Sequence, residues 1–255
     1  MANTPALDAA IAGLNALRAA LGDAAVDAAI DALRRHAAAA VEAPTPTLSR
    51  RLQQVSVLFV DVAHSTELLA RIGPEDADEV LGRALERFAQ RVQQHGGQVL
   101  RFTGDGLKAV FGAAGLREDE AEHAVRAGLE IIDTAAVHAQ QVQAQLQGAM
   151  FGVRVGIHTG PVLLGGGAEA EHGAIGHAVH LAARMEQSAP IGRLRISQDT
   201  HAQVRGLFQV QPQPPLWVKG HAEPLLTYLV LGLGADPERA VQRGVEGLAT
   251  PMIGR

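Results

Sequence analysis

The 255-residue chain has no cysteine. That excludes a disulfide framework, thiolate catalysis and a cysteine-ligated zinc site. Lysine is nearly absent. Lys108 and Lys219 are the only two among 22 basic residues, an Ala- and Arg-rich bias that carries no functional reading. Positive charge is not in excess: the net charge of -5 argues against a nucleic-acid-binding face, which needs clustered basic residues. No stretch of about 18 apolar residues runs free of charge or strong breakers, so no membrane span is expected. The N-terminus lacks a basic region followed by an apolar run, so no signal peptide is expected. A cytoplasmic location follows as the expectation. There is no Gly-x-x-x-x-Gly-Lys-Ser/Thr, and Gly165-Gly166-Gly167 lacks dinucleotide-binding spacing. His177 and His180 share a helix face near His172, but no third ligand stands at zinc spacing. Ser188 and Ser197 lack a nucleophile-elbow context.

What is present begins with an alanine-rich helical hairpin over residues 1–41. Leu7, Ile11, Leu14, Leu17 and Leu21 form one apolar stripe, and Val26, Ile30 and Leu33 continue it after a break at Gly22-Asp23, where Asp23 can cap the second helix. Such a pair needs a partner surface, either the main domain or a second copy. Residues 42–50, with Pro44 and Pro46, read as a linker.

Strands and helices then alternate. Val55–Val60 reads as a buried strand ending at Asp61. Ser65 and Thr66 can cap a helix to about Ile72, and a longer one runs from Glu75 to His95. Gln98–Phe102 and Leu107–Phe111 flank a Thr103-Gly104-Asp105-Gly106 hairpin, and Glu118–Gln145 is helical. Phe151–His158 and Val162–Leu164 are strands around Thr159-Gly160-Pro161. His177–Glu186 is a helix, Leu194–Ser197 a strand, and later short strands end with Leu225–Leu231. The alternation predicts one α/β sandwich.

Asp61 ends an apolar strand and Asp105 sits in a Gly-Asp-Gly turn. Taken singly, each is an ordinary strand-end or turn carboxylate. Taken together on neighbouring strands, they could share magnesium, which accepts one or two carboxylates plus substrate phosphates. The unpaired N–H groups opening the helix after Val62-Ala63-His64-Ser65-Thr66 suit a phosphate chain.

Five segments in order carry a resemblance: Phe59-Val60-Asp61-Val62 with Ser65-Thr66; Phe102–Gly106 ending in Val110-Phe111-Gly112; Val153–Gly160; Ala174-Ile175-Gly176 with Val179–Glu186; and Val218-Lys219-Gly220 with Glu223-Pro224. Residues 51–232 resemble the class III nucleotide cyclase catalytic domain. The helical hairpin and the Thr250-Pro251-Met252-Ile253-Gly254-Arg255 end resemble bacterial cyclases joined to a signal-transduction ATPase, which implies that residues 233–255 lead towards such a module.

The resemblance implies an α/β (α+β) ferredoxin-like sandwich and a head-to-tail homodimer with shared sites. It implies two Mg2+ or Mn2+ ions on Asp61 and Asp105. It places the triphosphate on Val62, Ala63, His64, Ser65 and Thr66, with Arg154 reaching it, and takes Arg184 and Lys219 from the partner subunit. Three residues depart from the family pattern. Arg101 replaces a base-reading Lys. Gly173 replaces an Asp or Thr base contact. His180 replaces an Asn that orients the ribose. Arg101 still donates, Gly173 offers only backbone, and His180 can donate or accept. The absence of Glu at 101 favours ATP over GTP. Two readings stay open: a loosely selective adenylate cyclase, or a degenerate cyclase-like dimerisation module.

Overall fold

The computed structural model describes residues 11–16, 18, 22–23, 25–32, 51–113, 119–146, 150–165, 174–218 and 223–234. The chain divides into two compact units, Met1–Ser49 and Arg50–Arg255. In the first, 11–16 and 25–32 are helical. The break falls at Gly22, whose carbonyl accepts from Val26 N–H at 3.3 Å. Gly22 therefore precedes the second helix, and Asp23 is already helical. The Asp23 carboxylate does not act as the expected cap but accepts from Arg18 at 3.2 Å, beside Asp27 at 2.7 Å. The linker at 42–50 lies outside the described residues.

The second unit is a mixed sheet with helices on both faces and no closed barrel. Its strands are β1 (Arg51–Ala63), β2 (Gln98–Phe102), β3 (Gly106–Phe111), β4 (Gly152–Leu164), β5 (Ala174–Ile175), β6 (Arg193–Ser197), β7 (Phe208–Leu216) and β8 (Leu225–Leu233). The helices are α1 (Ser65–Ile72), α2 (Pro74–Gln94), α3 (Glu120–Gln145), α4 (His177–Ser188) and α5 (Gln198–Gln203). The strand order is β2-β3-β1-β4-β6-β8-β7, with β5 paired to β4. All pairings are antiparallel except β4 with β6.

β1 is apolar without alternation because both of its faces are covered. Leu58 and Val60 join Phe88 of α2, Ile131 of α3, Ile157 and Leu194 in the larger core. Val55 and Val57 join Leu100, Val110 and Val162 under Ala178 and Ala182 of α4. Gly156 brings α4 into backbone contact with β4: a Cβ there would lie 1.9 Å from the Glu186 backbone nitrogen.

Two expectations need correction. The first strand does not end at Asp61 but runs to Ala63, because its last residues still pair with Gly152 and Val153 of β4. Thr159-Gly160-Pro161 does not interrupt β4. Thr159 pairs with Ser56, Gly160 with Val55 and Pro161 with Gln54, so the long neighbour overrides the local turn signal. β7, outermost in the sheet, carries Pro212, Pro214 and Pro215. Among the described residues no helix is long and apolar enough to cross a membrane.

Candidate active site

The strand register brings the two acids together. The Asp61 Cα lies opposite Gly106 of β3 on one side and Arg154 of β4 on the other. Asp105 occupies the turn just before β3, and its carbonyl accepts from Val62 N–H at 3.0 Å. Gly106 is required by this closeness, since a Cβ would lie 2.4 Å from the Val60 carbonyl oxygen. Arg154 Nη1 stands 3.6 Å from Asp61 Oδ2. The Ser65 hydroxyl donates to Asp105 Oδ2.

Burial pushes the Asp61 carboxyl above its usual range, the Asp105 charge adds to this, and Arg154 opposes it. Crowded, partly desolvated carboxylates of this kind are relieved by a cation. Among the described residues no three His, Asp or Glu side chains close a metal cage. The donor set is therefore two carboxylates, which fits a hard divalent ion that takes its remaining ligands from phosphates and water.

The turn between β1 and α1 differs in one respect from the expected cap. Neither Ser65 nor Thr66 caps the helix. His64 precedes it, in the left-handed region at φ 68°, with no side-chain cap. Ser65 is the first helical residue, and its hydroxyl serves Asp105 instead. The His64 ring pairs with Glu67. Val62 and Ala63 are buried strand residues, so only their backbone can face a ligand, while Thr66 is exposed. A non-glycine residue at positive φ stores local strain, and such strain gathers at functional turns.

α4 presents two chemistries on two faces. His180 and Arg184 are exposed and one turn apart, hence on one side of the helix. Arg184 donates to Gln187 Oε1 at 2.7 Å. It lines a cleft of about 340 Å³ with Gln187, Ser188, Leu216, Trp217 and Val218. Glu186 lies on the buried face. Its carboxyl is pushed up to about 7, first by burial, then by the Asp61 charge, with Arg154 opposing and Asp105 adding. Sequence reasoning did not single out Glu186 as part of the acid cluster. The available signal was its spacing four residues after buried Ala182, which places a carboxylate on the apolar stripe.

Arg101 is exposed on β2. Lys219 and Gly173 lie outside the described residues, as do 235–255, where the resemblance to an ATPase module falls. The structure does bring Ser197 Oγ to 2.8 Å from His158 Nδ1, with Asp199 3.8 Å from the same nitrogen. Hydroxyl and carboxylate compete for one ring atom, so this is no Ser-His-Asp relay. It belongs to a buried hydroxyl network that continues through Thr200, Thr159 and Ser56.

A mixed sheet with two carboxylates beside a helix start defines an α/β domain suited to a phosphorylated ligand that arrives with cations. A family model described as the adenylate and guanylate cyclase catalytic domain matches residues 48–232. The chain belongs to that family. It is 28% identical over 206 residues to an adenylate cyclase of Mycobacterium tuberculosis, covering 78% of this chain and 44% of that protein. It is 28% identical over 187 residues to adenylate cyclase 1 of Rhizobium meliloti, covering 71% and 28%. The chain thus spans less than half the length of these relatives. Among solved structures, the adenylyl cyclase CyaB from P. aeruginosa superposes with a TM-score of 0.69 at 27% identity, covering 72% of this chain and 96% of that one. The guanylyl cyclase Cya2 gives 0.68 at 28%, covering 73% and 95%. The family is generally metal-dependent.

Proposed function

We propose that the domain is a cytoplasmic signalling enzyme that cyclises a purine nucleoside triphosphate, ATP favoured, to the 3′,5′-cyclic monophosphate and pyrophosphate. The observation that carries this reading is the convergence of Asp61, Asp105, Ser65 and Arg154 at the start of α1. In the reaction the ribose 3′-oxygen bonds to the α-phosphorus, the bond to the pyrophosphate oxygen breaks, and the hydroxyl proton leaves to solvent or base. Two divalent cations on Asp61 and Asp105 would lower the pKa of that hydroxyl and offset charge on the leaving group. The backbone from Val62 to Thr66, opening α1, binds the phosphate chain. Ser65 holds the Asp105 carboxylate in place, and Arg154 turns from Asp61 to the phosphates.

Arg184 and Lys219 serve a second copy. Arg184 projects from the far side of α4 into its own cleft, where a partner's α-phosphate would meet its donor fork as charge builds on the phosphorane. Lys219 would add a point charge, and His180 would orient the ribose. The test is product formation from ATP and GTP with Mg2+ or Mn2+, followed by mixing of Asp61→Ala and Arg184→Ala proteins. Each alone is inactive, and the mixture regains activity from one intact site per heterodimer. No regain despite confirmed subunit exchange refutes shared sites. No product from folded, dimeric wild type makes the domain a dimerising regulatory module instead, the reading that the departures at Arg101, Gly173 and His180 leave open.

A further inference from the structure

The chain has one tryptophan, Trp217, and at 72% it is the most exposed large apolar side chain among the described residues. Exposed indoles are enriched where a protein meets a ligand or a partner. The sheet sets its direction. Leu216, the last residue of β7, pairs with Leu225 of β8 beyond a register shift that spans Pro214 and Pro215, whose fixed φ stiffens the approach. Leu216, Trp217 and Val218 form one wall of the cleft of about 340 Å³, and Arg184, Gln187 and Ser188 of α4 form the other. Arg184 donates to the neutral Gln187 and, among the described residues, forms no ion pair. An unpaired guanidinium facing an uncovered apolar wall suits a ligand that is anionic in one part and apolar in the next, as a phosphate joined to ribose and purine is. That ligand comes from another copy. Arg184 and Glu186 are two residues apart, roughly 200° around the helix, and Glu186 faces the acids of its own chain. The cleft therefore opens away from them.

We propose that Trp217 contacts substrate in the shared site: its indole packs against the nucleotide held at Asp61 and Asp105 of the partner subunit and shuts water out around Arg184. The inference rests on the cyclase reading and adds a residue to it. Water beside a guanidinium screens its pull on a phosphate, and an apolar wall pressed against the ligand removes that water. The same segment continues to Lys219, so one stretch of chain would bring an indole and an ammonium to one ligand.

Because Trp217 is the sole tryptophan, its emission reports on this contact alone. The test uses two variants of the full 255-residue chain. Asp61→Ala keeps the indole and loses the cation site, and Trp217→Phe keeps the cation site and loses the indole. Mg2+ and the α,β-methylene analogue of ATP, which binds without releasing pyrophosphate, are added to each variant and to their mixture after confirmed subunit exchange. Neither variant alone gives a change in tryptophan emission. The mixture shifts to shorter wavelength, since in a mixed dimer the indole of one protomer meets the nucleotide of the other. Binding of the analogue to the mixture by equilibrium dialysis, with no shift, overturns the inference alone. A shift in Asp61→Ala alone overturns it too, because the indole then answers to something other than nucleotide at the partner's acids. If wild type binds no analogue, the cyclase reading falls first and the inference with it. In turnover, Trp217→Ala lowers kcat/KM about tenfold at unchanged dimer content, and Trp217→Phe recovers most of the loss. A loss that follows dissociation, and is recovered at higher protein concentration, refutes substrate contact in favour of an interface anchor.

Discussion

Glu186→Gln removes a charge that the fold holds at a cost. The native carboxyl titrates at about 7 instead of 4.5 because it is buried against β4 and faces the charges of Asp61 and Asp105. Between those two values the native state binds more protons than the unfolded chain, so rising pH destabilises the protein. The slope is about 1.4 kcal/mol per pH unit, and the accumulated penalty roughly 3 kcal/mol above pH 7. Gln retains the shape and discards the titration. Denaturant melts of wild type and variant from pH 4 to 8, without divalent cations, measure the difference. It should be flat below about pH 4.5, grow by roughly 3 kcal/mol in favour of the variant towards pH 7, and level off beyond. Any fixed cost of seating an amide there shifts the whole curve and leaves its shape alone. Added Mg2+ should shrink the rise, because a cation at Asp61 and Asp105 offsets the repulsion they exert. A pH-independent difference would refute the placement of a strained carboxylate behind the acid pair.

Gly156→Ala drives a methyl into the α4 backbone and should cost about 3 kcal/mol or prevent folding, read by thermal melts and soluble yield. His64→Gly relieves the left-handed residue and its pairing with Glu67. It should raise stability by about 1 kcal/mol while weakening nucleotide binding, through loss of a fixed turn. Ser65→Ala frees the Asp105 carboxylate. Activity should fall about tenfold with a higher metal requirement and a melting temperature within a few degrees of wild type, checked by Mn2+ titration of the rate. Arg184→Ala should lower kcat about a hundredfold or more with little change in KM, as expected for a group that acts on the transition state.

The sheet was legible where hydrophobic runs were long and turns were marked by Gly. β1, β2, β3, α2 and α3 fall within a few residues of expectation, because Val55–Val60, the Thr103–Gly106 turn and Gly96-Gly97 are strong local signals. Thr159–Pro161 misled because its partner lies a hundred residues away, and pairing along β1 outweighs a Gly-Pro dipeptide. The cap at Ser65 misled for a chemical reason: a hydroxyl can serve the helix or a carboxylate, and Asp105 is visible only after β1 and β3 pair. Glu186 was hidden because its significance lies in Gly156, a residue without a side chain, letting the helix down onto the strand.

The three prolines of β7 bear on how copies of this domain can meet. A proline has no N–H to offer a neighbouring strand, so the flank of the sheet that β7 forms is a poor template for another chain. At the opposite flank β2 is only five residues long and broken in register. With both borders blunted, self-association through continuous cross-chain strand ladders is disfavoured, and assembly is left to side-chain surfaces, which can separate and re-form without unravelling the fold.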